Sequence, residues 1–300
     1  MKKKKKSDQY YESFELTKDP FPVEAYDNIL FLTPELTHRI QQIKNFIAET
    51  DKLIVVSSVS GAGKSSFADY LESIKEKNWK ACLIQADTDM DRETLAYEIM
   101  QQVSPDKADE KGMSIPQLHK LLELSSKTEQ VPVFIIDDAD KLPVETLEFV
   151  LELSALKYQD TCYHFVLFAN EAITDKLNSE NLIELTSKLV TSIHLPSLSL
   201  VQLKEYIDNR LGSSGEINEY PFSDDDIKEI FNISAGLPKG INILARNKII
   251  TRLAPESKPN PLLISSAIAV LVIALIVVFY VTSFKGDGDM PIQPISTAPP

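Results

Sequence analysis

The stretch that most constrains the fold is "LIVVSSVSGAGKSSF", residues 53–67. An apolar run, Leu53–Ser57, ends in a turn rich in glycine and serine, and an amphipathic segment begins at Lys64. In this order of strand, turn and helix, the backbone N–H groups of the turn and the positive end of the helix can face one anion. The stretch predicts a phosphate-binding turn, and an ordinary Gly/Ser turn between a strand and a helix is the alternative.

The turn nearly matches the Walker A pattern G-x-x-x-x-G-K-S/T, with Ser58 at the first glycine position. In that pattern Lys64 reaches the β- and γ-phosphates, and the hydroxyl of Ser65 is a ligand of Mg²⁺. A small residue such as Ser58 can serve at the entry of the turn if its φ permits. The sequence therefore predicts ATP and Mg²⁺ as cofactors. The predicted cofactor-binding residues are Ser58, Gly61, Ala62, Gly63, Lys64, Ser65 and Ser66.

Short β-rich runs alternate with helical segments from residue 51 to residue 194. This alternation predicts an α/β fold, a parallel, doubly wound five-stranded sheet with helices between its strands. The predicted strands are Leu53–Ser57, Ala81–Gln85, Val133–Ile136, Tyr163–Ala169 and Val190–His194. The predicted helices are 34–50, 64–77, 91–103, 115–127, 144–157 and 171–178.

The chain changes character after Pro196, where three amphipathic segments predict a small all-α domain. The predicted organisation is a disordered basic N-terminus (1–9), an α/β domain (10–196), a helical domain (197–254), a linker (255–261), a transmembrane helix (262–284) and a short disordered tail (285–300). The tail is rich in proline and glycine and too short to bury a core. We therefore expect it not to bind peptidoglycan itself.

The run Leu262–Phe284 contains no charged residue. A helix of this length spans a hydrocarbon core of roughly 30 Å, which predicts a membrane anchor; a buried core helix is the alternative. Basic residues are concentrated ahead of the run, within 246–258, and only Lys285 follows it. The positive-inside rule then keeps the large N-terminal part in the cytoplasm.

The formal net charge of −13 argues against a general nucleic-acid binder. The opening "MKKKKK" is the exception: it reads as a solvated end, or as a contact with anionic lipid or nucleic acid. Cys82 and Cys162 form no C-x-x-C pair and read as reduced cytosolic residues. The four histidines have no metal-ligand spacing, so we expect no zinc site.

An acidic motif, "VPVFIIDDADKLP" at residues 131–143, lies about seventy residues after the turn and predicts the second half of the nucleotide site; an ordinary acidic turn after a strand is the alternative. Asp137 ends a buried strand and would hold Mg²⁺ through water. Asp138 stands where a hydrolytic enzyme of this type usually has the Glu that polarises attacking water. Asn170, after "HFVLFA", would contact the γ-phosphate or the water, or would cap the next helix; the two roles are compatible.

At this point the sequence resembles the AAA+ ATPases. The opening "SFELTKDPFPVEAYDNILFLTPE" is similar to the start of the ExeA/GspA-type ATPases of bacterial secretion. The segments "LTSKLVTSIHLPSLSLVQLKEYIDNRL" and "SAGLPKGINILARN" resemble later parts of the same family, and DamX-like cell-division proteins look similar as well. The resemblance covers residues 10 to about 253. It implies an AAA+ sheet with a helical lid, ATP and ADP as ligands, one membrane span, envelope proteins as partners and a possible homo-oligomer.

Two lysines stand where the resembled family has arginine, Lys188 before the fifth strand and Lys239 in the lid motif. An arginine finger presents a planar, always-charged fork to the transferring phosphoryl group, and lysine loses that geometry. The predicted catalytic residues are Asp138, Asn170, Lys188 and Lys239, in an enzyme that retains binding and has attenuated hydrolysis.

The sequence therefore predicts an ATP-binding protein of the bacterial inner membrane, slow in hydrolysis, that acts in cell division or secretion. A hydrolysis-deficient nucleotide-binding scaffold is the alternative. A transposition-type DNA-dependent ATPase is opposed by the acidic charge and by the predicted anchor.

Overall fold

Five parallel strands form the central sheet of the computed structural model, which describes residues 6–22, 30–74, 76, 78–103, 116–120, 130–158, 161–215 and 219–253. The strands are β1 (Leu53–Ser57), β2 (Trp79–Gln85), β3 (Val131–Asp137), β6 (His164–Ala169) and β7 (Val190–His194). Their order across the sheet is β2-β3-β6-β1-β7, and all neighbours run parallel. The predicted five-stranded parallel sheet is confirmed, with β2 and β3 each beginning two residues earlier than predicted.

A two-stranded antiparallel hairpin, which was not predicted, lies between the helix Val144–Ala155 and β6. It pairs β4 (Lys157–Tyr158) with β5 (Thr161–Cys162). Strands of two residues are too short to show an alternating apolar pattern, so they carry no periodic signal.

The helices flank the sheet and continue beyond it. They are α1 (Pro34–Glu49), α2 (Lys64–Ser73), α3 (Arg92–Val103), α4 (Val144–Ala155), α5 (Ile173–Leu177), α6 (Ile183–Leu189), α7 (Leu200–Gly212), α8 (Asp224–Ser234) and α9 (Pro238–Leu253). Helix α6 was not predicted. Of the predicted helix 115–127, residues 116–120 are helical and the rest lies outside the described residues. A 3-10 helix, Lys6–Phe14, begins inside the stretch for which the sequence predicts disorder.

Alternating side chains of each strand pack on opposite faces of the sheet, as the period of two requires. In β1, Leu53 and Val55 face α3, α4 and α5, whereas Ile54 and Val56 face α1 and α2. The buried aromatic pair Phe67 and Phe168 meets edge to face at 5.2 Å between ring centroids and joins α2 to the sheet. Both faces are therefore covered, as a parallel sheet demands.

A third hydrophobic cluster joins the start of the chain to helices α7, α8 and α9. Its members from residues 10–22 are Tyr10, Leu16 and Phe21, which are almost fully buried. The carboxylate of Asp19 binds the guanidinium of Arg246 at 2.7 Å and anchors this segment to α9. By contacts, Met1–Ile250 forms one compact unit and Thr251–Pro300 a second.

The predicted linker, membrane span and tail, residues 255–300, lie outside the described residues. Within the part of the chain that is described, none of the helices combines the length and apolar character that crossing a bilayer takes. The membrane span at 262–284 stays a prediction.

Candidate functional site

The turn between β1 and α2 has the backbone of an anion-binding loop. Gly61 and Gly63 have φ of 87° and 95°, values that side-chain-bearing residues seldom adopt, and α2 begins directly at Lys64. Ser58 does not have a positive φ, so a glycine is not required at the entry of the turn. Its side chain is only 1% exposed, and its N–H donates to the carbonyl of Ala169 at 3.3 Å. A small residue is what this position needs.

The ammonium of Lys64 lies at the centre of the site. It donates to the carbonyls of Ser58 and Val59, both at 3.2 Å, and to Oδ1 of Asn170 at 2.8 Å. Burial lowers the pKa of Lys64, and surrounding carboxylates, Asp140 first among them, oppose that shift. A cation kept charged in a largely buried position needs anionic partners, and the terminal phosphates of a nucleotide would supply them.

Asp137 and Ser65 fit the ligand set of a magnesium ion. Asp137 ends β3 and is 3% exposed, and the hydroxyl of Ser65 is a hydrogen-bond partner of its carboxylate. Its Oδ1 is buried and accepts no hydrogen bond from the described residues. Burial raises the pKa of Asp137, with Asp138 and Asp69 adding to the rise. An unpaired buried carboxylate oxygen beside a hydroxyl is the donor chemistry that Mg²⁺ prefers, alone or through water.

Asp138, which the sequence predicts to polarise the attacking water, has its carboxylate held by two side chains. Oδ2 accepts from Nζ of Lys141 at 2.8 Å and from Nε2 of Gln85 at 3.0 Å. Its backbone is left-handed, with φ 54° and ψ 34°, a conformation that aspartate tolerates better than most residues. The carboxylate of Asp138 is therefore already engaged by an ammonium and an amide.

Asn170 is bound by its side chain into the site rather than to the following helix. Its N–H and its Nδ2 donate to Oδ1 and Oδ2 of Asp140, at 2.8 and 3.1 Å, while its Oδ1 accepts from Lys64. The N-cap of α5 is Ala172, without a side-chain capping bond. The capping role that the sequence left open for Asn170 is therefore not found, and both ends of its amide bind groups of the candidate site.

Lys239 lies beside the turn, because the lid packs against it. Its N–H donates to the carbonyl of Gly61 at 3.1 Å, and a Cβ added to Gly61 would come within 3.1 Å of the Cβ of Lys239. Lys188 lies elsewhere: it is in the last turn of α6, just before β7, and its carbonyl accepts from Nζ of Lys52 at the opposite end of β1. Strand β1 separates the two ends by roughly 15 Å, so Lys188 cannot reach the site of its own chain.

A mainly apolar pocket adjoins the turn. It is bounded by the chain before α1, by the first turn of α2, by the residues after β7 and by the lid. The lining residues are Leu30, Phe31, Thr33, Leu36, Ala62, Gly63, Ser66, Phe67, Leu195, Pro196, Leu198, Tyr206, Arg210 and Pro238. The predicted residues Ala62 and Ser66 thus face this pocket, while Lys64 and Ser65 engage the polar groups that follow the strands. An apolar pocket beside a phosphate cradle suits the base and ribose of a nucleotide.

Two residues of the site were missed by the sequence analysis, Asp140 and Lys176. Nζ of Lys176 donates to the carbonyls of Asp140 and Leu142 at 2.6 and 2.7 Å, which ties α5 to the loop after β3. Asp140 is the third aspartate of "DDAD", so the motif itself could have indicated it as a site residue. Its partner Asn170, however, lies thirty residues along the chain.

Comparisons with known proteins agree with this geometry. Residues 47–177 match a family model described as an AAA domain. Among solved structures, the fold is similar to that of Aeropyrum pernix ORC2 in ADPNP–ADP complexes, with 17% identity over 78% of this chain and 65% of that one and a TM-score of 0.57. It is also similar to A. pernix ORC1 in complex with DNA, with 15% identity, 80% and 65% coverage and a TM-score of 0.57. The Walker-type ATPase of Pyrococcus abyssi is similar as well, with 12% identity over 76% of this chain and 75% of that one and a TM-score of 0.54.

The chain spans 65% of the length of each A. pernix protein, and identities of 12–17% show a shared fold alone. A search of curated proteins found no match. The domain match and the structural likeness support an AAA+-type nucleotide-binding domain. The finer resemblance to ExeA/GspA and DamX-like proteins rests on the sequence motifs and stays a prediction.

Proposed function

From the AAA+-type nucleotide-binding domain we propose that this protein binds ATP with Mg²⁺ and hydrolyses it slowly, as a switch at the bacterial inner membrane. The observation that carries the nucleotide part is the convergence of Lys64, Ser65, Asp137 and Asn170 after β1, β3 and β6. An ammonium, a hydroxyl, an unpaired carboxylate oxygen and an amide are the groups that a magnesium-bound triphosphate requires.

Each group has a separate task in the proposed reaction. The N–H groups of the turn and the ammonium of Lys64 bind the β- and γ-phosphates, and Ser65 and Asp137 hold the magnesium ion. The ion would neutralise charge on the phosphate oxygens. Asp138 orients the attacking water, and Asn170 contacts the γ-phosphate. The lid places Lys239 beside Gly61, from where its ammonium can reach the phosphates.

The slow hydrolysis in this proposal follows from Asp138 and from the two lysines at arginine positions, Lys188 and Lys239. Lys141 and Gln85 hold the carboxylate of Asp138, so it must exchange these partners to bind water. Lys188 lies at the far end of the sheet and acts only on the site of a second copy, in a homo-oligomer. Arginine fingers elsewhere contribute about 10³–10⁵ in rate, a contribution that lysine supplies only in part.

The setting is proposed from the sequence. The uncharged run 262–284, the basic residues ahead of it and the ExeA/GspA-like segments support a cytoplasmic domain with one membrane span that works with envelope proteins. Flotation of the full-length protein with lipid vesicles, beside a variant that lacks residues 262–284, tests the anchor. Equal flotation of the two proteins would remove the membrane from the proposal.

The rate is tested by phosphate release from the full-length protein, with Lys64→Ala as the blank and Lys228→Ala as a matched surface control. Lys228 is exposed and pairs only loosely with Asp225, at 3.6 Å. We expect slow turnover that Lys64→Ala abolishes and Lys228→Ala preserves. If the wild-type protein binds ATP but releases phosphate no faster than Lys64→Ala, the protein is a nucleotide-binding scaffold, the second candidate function. The hydrogen bonds that engage the carboxylate of Asp138 favour this candidate.

DNA binding is the function that the likeness to A. pernix ORC1 raises, since that protein was solved in complex with DNA. The net charge of −13 opposes it for this chain, because DNA binding relies on the neutralisation of phosphates by Lys and Arg. Tight binding that weakens steeply with salt would favour it.

A further inference from the structure

The three aspartates of "DDAD" point in three directions. Asp137 is directed to Ser65, and Asp138 to Lys141 and Gln85. The carboxylate of Asp140 binds across to the end of β6, through two bonds to the single residue Asn170. The first two carboxylates have roles in the proposed reaction, and the third has none there.

The orientation of the Asn170 amide is determined by its neighbours. Its Nδ2 faces a carboxylate, which only accepts hydrogen bonds, and its Oδ1 faces an ammonium, which only donates them. A flipped amide would place oxygen against oxygen and N–H against N–H. Asp140 and Lys64 thus select one rotamer, with the amide oxygen on the ammonium.

The backbone of Asp140 is itself fixed by a hydrogen bond from a lysine. Its carbonyl accepts from Lys176, which lies on α5, the helix that follows Asn170. The same ammonium binds the carbonyl of Leu142. The loops after β3 and β6 are therefore tied in both directions, and neither can shift without breaking a charge-assisted bond.

We propose that Asp140 is a positioning residue of the nucleotide site. It acts through Asn170 and holds the amide of Asn170 and the ammonium of Lys64 where they can bind a γ-phosphate. The proposal rests on the proposed ATP binding and deepens it. Asp140 touches neither nucleotide nor metal. It supplies the alignment of two groups that bind the terminal phosphate, and so it controls the preference for ATP over ADP.

The test compares Asp140→Asn with Asp175→Asn in the full-length protein. The two substitutions remove the same charge, and Asp175 is an exposed residue of α5. Displacement of a fluorescent ADP analogue by ATP and by ADP gives the ratio of the two affinities. We expect Asp140→Asn to lower the preference for ATP about ten- to hundredfold, because a charge-assisted alignment is lost, and Asp175→Asn to leave it unchanged.

A double variant separates positioning from general support of the fold. If Asp140 acts through Asn170, then Asp140→Asn added to Asn170→Ala lowers the ATP preference no further than Asn170→Ala alone. A purely structural aspartate would weaken ATP and ADP binding equally and add its loss to that of Asn170→Ala. Either of these results would overturn the proposal.

Asp140→Glu keeps the carboxylate one methylene further out, and we expect an intermediate preference for ATP. Should Asp140→Asn fail to fold, this variant decides: a wild-type ratio of affinities in folded Asp140→Glu refutes the positioning role. Failure of the proposed function looks different, because wild-type protein would then bind neither nucleotide and Lys64→Ala would change nothing.

Discussion

Charged side chains at the two ends of the parallel sheet differ in how far they are buried. After the carboxyl ends of the strands, Lys64 and Asp137 are 7% and 3% exposed, and Oδ1 of Asp137 accepts no hydrogen bond from the described residues. At the amino ends, the side chains of Lys188 and Glu184 are 67% and 80% exposed and pair on the surface. Both ends carry several charges. Among the described residues, the buried Lys and Asp side chains lie after the carboxyl ends.

The difference in burial shows which charged groups lower the stability of the folded state. Surface pairs contribute about 0–1 kcal/mol and can be lost without consequence. A buried charge without a full set of partners costs several kcal/mol, and natural proteins retain it where a ligand will complete the set. The comparison predicts that substitutions after the carboxyl ends change ligand binding, whereas those at the amino ends change at most stability.

The largest expected effect separates the two ends directly. Lys64→Ala removes the only ammonium that contacts both the turn and Asn170 among the described residues, and we expect ATP affinity to fall at least about a hundredfold. Lys188→Ala, at the amino ends, should leave ATP affinity of the isolated chain unchanged. Isothermal titration of both variants measures this. Equal losses would end the distinction between the two ends.

The next effect concerns the metal. Asp137→Asn keeps the shape of the side chain and removes the charge, so the magnesium dependence of ATP binding should disappear while binding without magnesium persists. Titrations with and without Mg²⁺ measure the dependence. Magnesium dependence that survives in the variant would place the ion elsewhere.

A gain of rate is the third expectation. The triple variant Asp138→Glu, Lys188→Arg and Lys239→Arg restores groups whose reach and planarity suit phosphoryl transfer, so phosphate release should rise by about tenfold or more. Because the proposed function places Lys188 at a subunit contact, the rise should depend on protein concentration, which a dilution series detects. No rise in a variant that binds ATP normally would show that the loss lies in assembly.

The smallest effect comes from the amino ends. His164 is buried at the start of β6, Nδ1 has no partner among the described residues, and burial lowers its pKa. As the pH falls below about 6.5, the unfolded state binds a proton that the folded state excludes, so stability falls with pH down to the lowered folded pKa. We expect the free energy of unfolding to fall between pH 7.5 and 5.5 by at most about 1.4 kcal/mol, the limit set by an unfolded pKa of about 6.5. The fall should be absent in His164→Leu, as urea midpoints at both pH values will show.

The strand–turn–helix unit was predictable because its residues are neighbours in sequence. Leu53–Ser57, Gly61, Gly63 and Lys64 follow one another, and the strand period and the glycine conformations are local properties. The parallel sheet was predictable for the same reason, since strands that alternate with helices leave little choice of direction. The hairpin β4–β5 was not, because two-residue strands carry no period.

The sequence by itself determined the nature of the groups at the site: a lysine, a hydroxyl, three aspartates and an asparagine, each at a strand end or a helix start. Only the tertiary structure decided which of them touch. Strands β3 and β6 lie side by side in a register that pairs Ile136 with Leu167, so the loops after them leave the sheet together. That adjacency brings Asp140 to Asn170, thirty positions apart, and the pairing of β6 with β1 brings Asn170 to Lys64. No local pattern encodes it, because strand order depends on the packing of the whole sheet.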